Sequence, residues 1–263
     1  MKNQVCIFLA ILILFMLPGC SNDKEASVQK EKKDAVELSI AAAASLQEAV
    51  GELQDAFKKE YPQVTITVNF GSSGQLAQQI QQGAPVDIFL SADQKWMNML
   101  EDENLIVKET RKDFTGNKIV LIGEKDSDKD FLTFENLKGD EMGQIAIGDP
   151  DSVPAGTYTK EILENLGKWE ELKNKFVYGS DVTQVLTYVE SGNTDIGFVY
   201  SSDALISEKV QVLAEADSSL HTPIIYPAAV LTDSTTQDTA NKFIEFLLSK
   251  QAQTILAEYG FIK

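Results

Sequence analysis

The sequence predicts an α/β fold made of two lobes with a ligand cleft between them. Three observations support this fold class. Short apolar strand patterns alternate with helical patterns from residue 36 onward, the alternation breaks once at residues 113–117, and the 263-residue chain is longer than one small α/β unit requires. Because strands that alternate with helices usually pair in parallel, each lobe is expected to be a mostly parallel sheet flanked by helices.

The chain before the break contains three strand–helix pairs. In each pair, a short run of apolar or alternating residues precedes a segment whose apolar residues recur at helical spacing. Gly83 is expected to end the second helix. The predicted strands are 37–42, 64–70 and 86–90, and the helices that follow them lie near 46–57, 76–80 and 96–100.

The alternation resumes after the break and continues to the end of the chain. We expect a discontinuous first lobe, residues 36–117 and 223–263, with a second lobe, residues 118–222, inserted between its two parts. The predicted strands are 118–122, 144–147, 176–178, 196–200 and 223–231, and the predicted helices are 155–166, 182–189, 236–248 and 251–259.

The amino-terminal residues have the features of an export signal. Lys2 precedes an almost unbroken apolar run at residues 5–17, which is shorter than the roughly 20 residues that a membrane-spanning helix needs. The run ends in Leu-Pro-Gly-Cys at residues 17–20, which resembles a lipobox, the site where bacteria acylate a cysteine and cleave before it. An ordinary signal peptide with a chance cysteine is the alternative.

We therefore expect residues 1–19 to be a signal peptide and Cys20 to carry a lipid anchor that includes palmitate. Residues 20–35 are charged and poor in large apolar side chains, which is typical of a flexible tether. The protein is predicted to lie at the extracytoplasmic face of the cell membrane of a Gram-positive organism. The lipid anchor alone would hold it there. Cys6 would leave with the signal peptide, so the folded part has no thiol, and a domain of about 225 residues buries an adequate core without a disulfide.

The composition is strongly acidic, with 40 Asp and Glu against 23 Lys and Arg and a net charge of −17. This balance argues against nucleic acid as a partner, because such binding depends on basic side chains that neutralise phosphates. It also argues against docking on an anionic bilayer through a basic patch. We expect a monomer whose ligand is a small molecule.

Several segments place small or hydroxyl-bearing residues between a strand and a helix. Each alone is explained by helix capping, since Ser, Thr and Asp cap helices well. Together they indicate a site, because ligands of open α/β sheets bind beyond the carboxyl ends of the strands, where helix N-termini present backbone N–H groups. The segments are 41–46, 71–76, 149–158, 181–183 and 200–203.

The side chains of these segments favour a fully ionised oxyanion. A tetrahedral dianion such as molybdate, tungstate or sulfate only accepts hydrogen bonds, so its site needs N–H and O–H donors. Phosphate usually carries a proton near neutral pH and also requires an acceptor. The segments contain no Lys or Arg. A basic side chain is not required, because neutral N–H and O–H donors form charge-assisted hydrogen bonds with the anion.

Four longer runs resemble the periplasmic molybdate-binding protein family, over residues 38–261. They are AAAASLQEA, FGSSGQLAQQIQQGAPVDIFLSADQKWM, GDPDSVPAGTYTKEIL and DIGFVYSSDA. The resemblance implies a two-lobed periplasmic-binding-protein fold of type II. It also implies that the protein captures molybdate or tungstate for an ABC permease, without catalysis and without a further cofactor.

The same resemblance implies which residues bind the ligand. Ser45 and Ser73 would contribute hydroxyls from the first lobe, Ala155 and Val182 would contribute backbone N–H groups from the second, and Tyr200 its hydroxyl. Molybdenum would be held by these five residues as the oxyanion, not as a bare cation. An anion between the lobes would stabilise a closed form for the permease to recognise.

The sequence departs from the family at two places. Gly74 and Gln75 stand where many relatives have Ser-Thr, which would remove a hydroxyl from the rim of the site but leave Ser73. The segment 181–183 lacks the Arg that often follows Asp-Val in the family. That absence affects a supporting contact, not the backbone donor.

Other functions fit the sequence less well than oxyanion transport does. A hydrolase would need Ser73 and His221 in one site, but Gly-x-Ser-x-Gly is not matched. An amino-acid or cation receptor would need an Arg or a cluster of ligating side chains, which the segments lack. Sulfate remains the alternative oxyanion. Trp96 and Trp169 are interpreted as packing residues, and Asp93 as the cap of the third helix.

Overall fold

The computed structural model describes residues 35–128 and 132–263. The predicted signal peptide, the Cys20 that is predicted to carry lipid and nearly all of the predicted tether lie outside these residues. In chain order the strands are β1 (Val36–Ala43), β2 (Val64–Gly71), β3 (Ile88–Leu90), β4 (Lys112–Gly116), β5 (Ile119–Glu124), β6 (Ile145–Gly148), β7 (Phe176–Gly179), β8 (Ile196–Tyr200), β9 (Val210–Glu215) and β10 (Ile225–Val230).

Helices separate most of these strands, as the alternating pattern predicts. Short 3-10 turns lie at Ala44–Leu46, before the first helix, and at three places between later elements. The α-helices are α1 (Gln47–Glu60), α2 (Ser73–Gln81), α3 (Gln94–Asp102), α4 (Pro154–Asn165), α5 (Trp169–Leu172), α6 (Val182–Glu190), α7 (Ser201–Leu205), α8 (Gln237–Leu247) and α9 (Lys250–Glu258).

The strands form two separate sheets, and the helices flank them, so the predicted α/β class is confirmed. The first sheet has the order β2-β1-β3-β10-β4 and the second has the order β7-β6-β8-β5-β9. In the first, β1 pairs in parallel with β2 and β3, whereas β10 is antiparallel to β3 and β4. In the second, β6 is parallel to β7 and β8, and β5 is antiparallel to β8 and β9. Each sheet therefore has two parallel and two antiparallel pairs, so both are mixed and the expectation of mostly parallel sheets is wrong.

The antiparallel pairs arise where the chain passes between the sheets. β4 ends at Gly116 and β5 begins at Ile119, so only Asn117 and Lys118 join the two sheets at the first crossing. The second crossing leads from β9 back to β10. The break expected at residues 113–117 is thus mostly strand β4. The sequence pattern also missed β9, because this edge strand is only partly buried and lacks a continuous apolar run.

The first sheet is covered on both faces, as strands with alternating burial require. On one face, Leu38 and Ile40 of β1 pack with Phe57 of α1 and with α8 and α9. On the other face, Phe89 of β3 packs with Trp96 of α3 and with α2. Trp96 is therefore a packing residue, as predicted.

The second sheet packs against α4 and α6. Phe134 lies 5.5 Å from Phe198, ring centre to ring centre, and the half-buried Trp169 lies 4.8 Å from Phe176. Trp169 thus also packs against its neighbours. Within the described residues, no helix has both the length and the apolar character needed to cross a membrane.

Candidate ligand-binding site

A small cavity lies between the two lobes and is lined by all five residues predicted to bind the ligand. Its volume is about 10 Å³, room for about one water molecule and far below the roughly 300–1,000 Å³ of pockets that take drug-sized organic ligands. The cavity is therefore too small for an organic ligand of that kind. Its lining residues are Ala43, Ala44, Ser45, Gly71, Ser72, Ser73 and Ala92 from the first lobe, and Val153, Pro154, Ala155, Asp181, Val182 and Tyr200 from the second.

Helices α2, α4 and α6 begin at this cavity. Ser73 is the first residue of α2, whose cap is the hydroxyl of Ser72, and Val182 is the first residue of α6, whose cap is the carboxylate of Asp181. Ala155 follows the proline that opens α4. The backbone N–H groups of a first helical turn have no acceptor within their own helix. These N–H groups and the positive ends of the helix dipoles favour an anion in the cavity.

The residues that cap these helices are therefore neighbours of the residues predicted to bind the ligand. Ser72 accepts a hydrogen bond from the N–H of Gln75 at 3.3 Å, and Asp181 accepts from the N–H of Gln184 at 2.9 Å. The adjacent Ser73 takes no part in capping.

The two serine hydroxyls that line the cavity each have a protein partner. Ser73 is fully buried, and its Oγ accepts a hydrogen bond from the backbone N–H of Ala92 at 2.9 Å. Ser45 Oγ lies 2.9 Å from the hydroxyl of Tyr226. Since Ser73 already accepts a bond from an N–H group, its own proton remains available to a ligand.

Tyr200 presents the least satisfied polar group of the site. Its side chain is 1% exposed, and no partner among the described residues lies within ordinary hydrogen-bond distance of its hydroxyl, although the Tyr226 hydroxyl is near enough for a weaker interaction. Burial raises the pKa of Tyr200 well above its ordinary value, so the hydroxyl keeps its proton and can donate it. A buried hydroxyl without a partner costs about 1–3 kcal/mol, which a ligand that accepts a hydrogen bond would offset.

Two buried carboxyl groups lie close enough to act on Tyr200. Asp203 accepts a hydrogen bond from the N–H of Tyr200 at 3.0 Å, and burial raises the pKa of Asp203 to about 7. Asp93 caps α3 through the N–H of Trp96 at 3.1 Å, as predicted from the sequence, and burial raises the pKa of Asp93 to about 6. The residues that line the cavity include no Lys or Arg.

The lobes touch beside the cavity through the backbone. The N–H of Gly74 donates a hydrogen bond to the carbonyl oxygen of Ser152 at 3.0 Å. A Cβ atom at residue 74 would lie 2.5 Å from that oxygen and 2.6 Å from the ring of Trp96. The glycine that departs from the family pattern therefore permits a close approach of the two lobes.

His221 does not join Ser73 in one site. It lies in a separate, wider groove beside the two crossings, together with Ile224 and Ile262. Its Nδ1 is 2.7 Å from the carbonyl oxygen of Thr222. The arrangement that a serine hydrolase would need is absent from this pair.

The sequence did not single out Tyr226 or Asn117, which lie directly behind the cavity. Asn117 Nδ2 is 3.3 Å from the Tyr226 hydroxyl and 2.8 Å from Ser202 Oγ. Tyr226 stands in an apolar strand, and Asn117 stands in the expected break. Their roles depend on contacts between residues that are distant in the chain, which no local pattern reveals.

Comparison with known proteins places this arrangement in a family. A family model described as bacterial extracellular solute-binding protein matches residues 38–262. The chain belongs to this family. The predicted resemblance to molybdate-binding proteins is also confirmed, since the molybdate-binding protein ModA of Escherichia coli is 39% identical over 87% of this chain and 90% of its own.

Two further relatives of this solute-binding protein are similar over most of their length. YvgL of Bacillus subtilis, named as an ABC transporter substrate-binding lipoprotein, is 44% identical over 99% of both chains. The structure described as the substrate-binding domain of a molybdenum ABC transporter from Clostridium difficile is 45% identical. It covers 87% of this chain and 99% of its own, with a TM-score of 0.66.

Proposed function

We propose that this solute-binding protein captures molybdate, and also tungstate, outside the cytoplasm and delivers it to an ABC permease. The observation that carries the proposal is the cavity between the lobes, where Ser45, Ser73, Ala155, Val182 and Tyr200 meet. No catalysis and no further cofactor are required for this role.

The donors of the cavity favour an anion that only accepts hydrogen bonds. Ser73 already accepts from a backbone N–H, and Tyr200 remains protonated because it is buried. Ala155 and Val182 lie in first helical turns, whose N–H groups need acceptors. Each charge-assisted bond contributes about 1.5–3 kcal/mol, so several of them reach micromolar affinity without a Lys or Arg.

The hydrogen-bond donors come from both lobes, which suggests how the permease recognises the ligand-bound protein. Ser45 and Ser73 belong to the part of the chain that forms the first sheet, and the other three to the part that forms the second. An anion held by both groups stabilises the closed arrangement, which the permease then distinguishes from the empty form.

Thermal melting against an oxyanion panel tests this function. At about 1,000 times its dissociation constant, a ligand adds about 4 kcal/mol to the free energy of unfolding. For a domain of this size that raises Tm by roughly 8–16 °C. Molybdate and tungstate should give this shift and sulfate a small one. A shift with sulfate alone would assign the alternative ligand, and no shift with any of the three would remove the proposed function.

We further propose that lipid on Cys20 keeps the protein at the outer face of the membrane of a Gram-positive cell. The basis is the lipobox-like sequence at residues 17–20 and the charged segment that follows, and the similar protein YvgL is named as a lipoprotein. A Cys20→Ala variant should be released from membranes but bind molybdate as the wild type does. Retention of the variant in the membrane fraction would contradict the anchor.

A further inference from the structure

A row of buried polar side chains lies behind Ser45. Tyr226 is fully buried in β10, and its hydroxyl is 2.9 Å from Ser45 Oγ and 3.3 Å from Asn117 Nδ2. Asn117 is also buried and lies at the first crossing between the sheets. The row therefore leads from the crossing to the wall of the cavity.

The hydrogen bonds of Asn117 fix the orientation of its amide. Its Oδ1 accepts from the backbone N–H of Lys118 at 2.9 Å and from the hydroxyl of Ser201 at 2.9 Å. A backbone N–H can only donate, so the group facing it must be the oxygen. The amide nitrogen then faces Ser202 and Tyr226 and donates to both.

This orientation favours one direction for the bonds that follow. The Tyr226 oxygen accepts from Asn117, which leaves the single hydroxyl proton of Tyr226 to donate. Ser45 Oγ at 2.9 Å is better placed to accept it than the Tyr200 hydroxyl, which also interacts with Tyr226. In this arrangement Ser45 accepts from Tyr226, and its own proton is left for the cavity. Without the row, the Ser45 hydroxyl could instead donate to Tyr226 and turn a lone pair toward the ligand, which would repel an anion.

We propose that Tyr226 is a positioning residue that holds the Ser45 hydroxyl as a donor toward the bound oxyanion, and that Asn117 sets the direction of this row. The inference rests on the proposed function. It gives the two serines of the site equivalent supports, since Ser73 is held by the N–H of Ala92 and Ser45 by the hydroxyl of Tyr226. Because Asn117 also bonds Ser202 of the second lobe, the support for Ser45 includes contacts from both lobes.

A purely structural role of Tyr226 must be separated from this one. Its ring packs edge to face against Phe114, Phe261 and Tyr200, with ring centres 6.4, 5.5 and 5.8 Å away. The Tyr226→Phe variant keeps these ring contacts and removes only the hydroxyl. Tyr61→Phe is the matched control, because Tyr61 stacks on Phe57 at 4.5 Å and does not line the cavity.

The test is a double-mutant cycle read by isothermal titration with molybdate. Tyr226→Phe should weaken binding about tenfold, the effect of losing one oriented hydrogen bond. In a Ser45→Ala background the same change should have almost no effect, because no hydroxyl remains to be oriented. Tyr61→Phe should bind as the wild type does in both backgrounds.

A second variant tests the direction of the row without altering Tyr226. Asn117→Asp places an acceptor where the amide nitrogen donates, so Tyr226 would donate to Asp and Ser45 would have to donate to Tyr226. The added charge weakens binding in any background. Reversal of the row predicts an additional loss that disappears when Ser45→Ala is also present.

The outcomes separate this inference from the proposed function. A wild-type protein that binds neither molybdate nor tungstate removes the function, and the role of the row with it. A wild-type protein that binds molybdate, with Tyr226→Phe unchanged or weakened equally in both backgrounds, removes only the role of Tyr226. Loss confined to proteins that retain Ser45 supports it.

Discussion

Replacing Tyr200 by Phe should make the protein more stable and a poorer binder at the same time. The Tyr200 hydroxyl is buried against the cavity, and among the described residues only the Tyr226 hydroxyl interacts with it, beyond ordinary hydrogen-bond distance. Leaving such a group unsatisfied costs about 1–3 kcal/mol, which the variant recovers. For a domain of 150–250 residues, each kcal/mol corresponds to about 2–4 °C. Without ligand, Tm should therefore rise by roughly 2–12 °C.

The same substitution removes a donor to the bound anion. A hydrogen bond to a charged group contributes about 1.5–3 kcal/mol, so the dissociation constant for molybdate should increase about 10- to 150-fold. A group that lowers stability and raises affinity is expected at a binding site, where strain in the empty protein is relieved by the ligand.

Calorimetric melting without ligand and isothermal titration with molybdate measure the two effects. Tyr61→Phe, the same chemical change outside the cavity, should alter neither quantity appreciably. If Tyr200→Phe melts at or below the wild-type temperature and keeps wild-type affinity, the hydroxyl is not the ligand donor inferred from its burial.

Two further predictions concern lobe contact and pH. Gly74→Ala should weaken molybdate binding about 30-fold or more in isothermal titration, because the added Cβ would lie 2.5 Å from the backbone oxygen of Ser152. Such overpacking costs about 1–3 kcal/mol, in addition to the hydrogen bond that is lost. Gly51→Ala is the control and should bind normally, because nothing lies within 4 Å of the added Cβ. The free energy of unfolding should fall as pH rises from about 4 to 7. Asp93 and Asp203 have pKa values of about 6 and 7 in the folded protein. In this pH range they keep protons in the folded state that the unfolded chain has already released, so a rise in pH favours unfolding. Melting between pH 4 and 8 should show this slope reduced in Asp203→Asn, whose side-chain oxygen can still accept from the Tyr200 N–H; an unchanged slope would contradict the assignment.

The features that the sequence predicted well are those encoded locally. Apolar spacing identified most strands and helices, and Asp93 and Asp181 were recognisable as helix caps because capping depends on residues within one turn. Ser45 and Ser73 follow strands and precede helices, so their position at the sheet edge was also predictable.

The features that the sequence did not predict depend on contacts between distant residues. Ser45 and Tyr226 are 181 residues apart, and Asn117 and Ser202 are 85 apart. The constraint on Gly74 appears only when the second lobe brings Ser152 against it. The antiparallel strands likewise follow from how the chain crosses between the sheets, which periodicity does not record.

Isothermal titration of the wild type and of the Ser45→Ala, Ser73→Ala double variant tests the central claim most directly. The wild type should bind one molybdate per chain with micromolar or tighter affinity, and sulfate more weakly. The double variant should lose at least about 100-fold in affinity for molybdate, because each lost charge-assisted bond contributes about 1.5–3 kcal/mol. A correctly folded double variant with wild-type affinity would contradict the assignment of this cavity as the binding site.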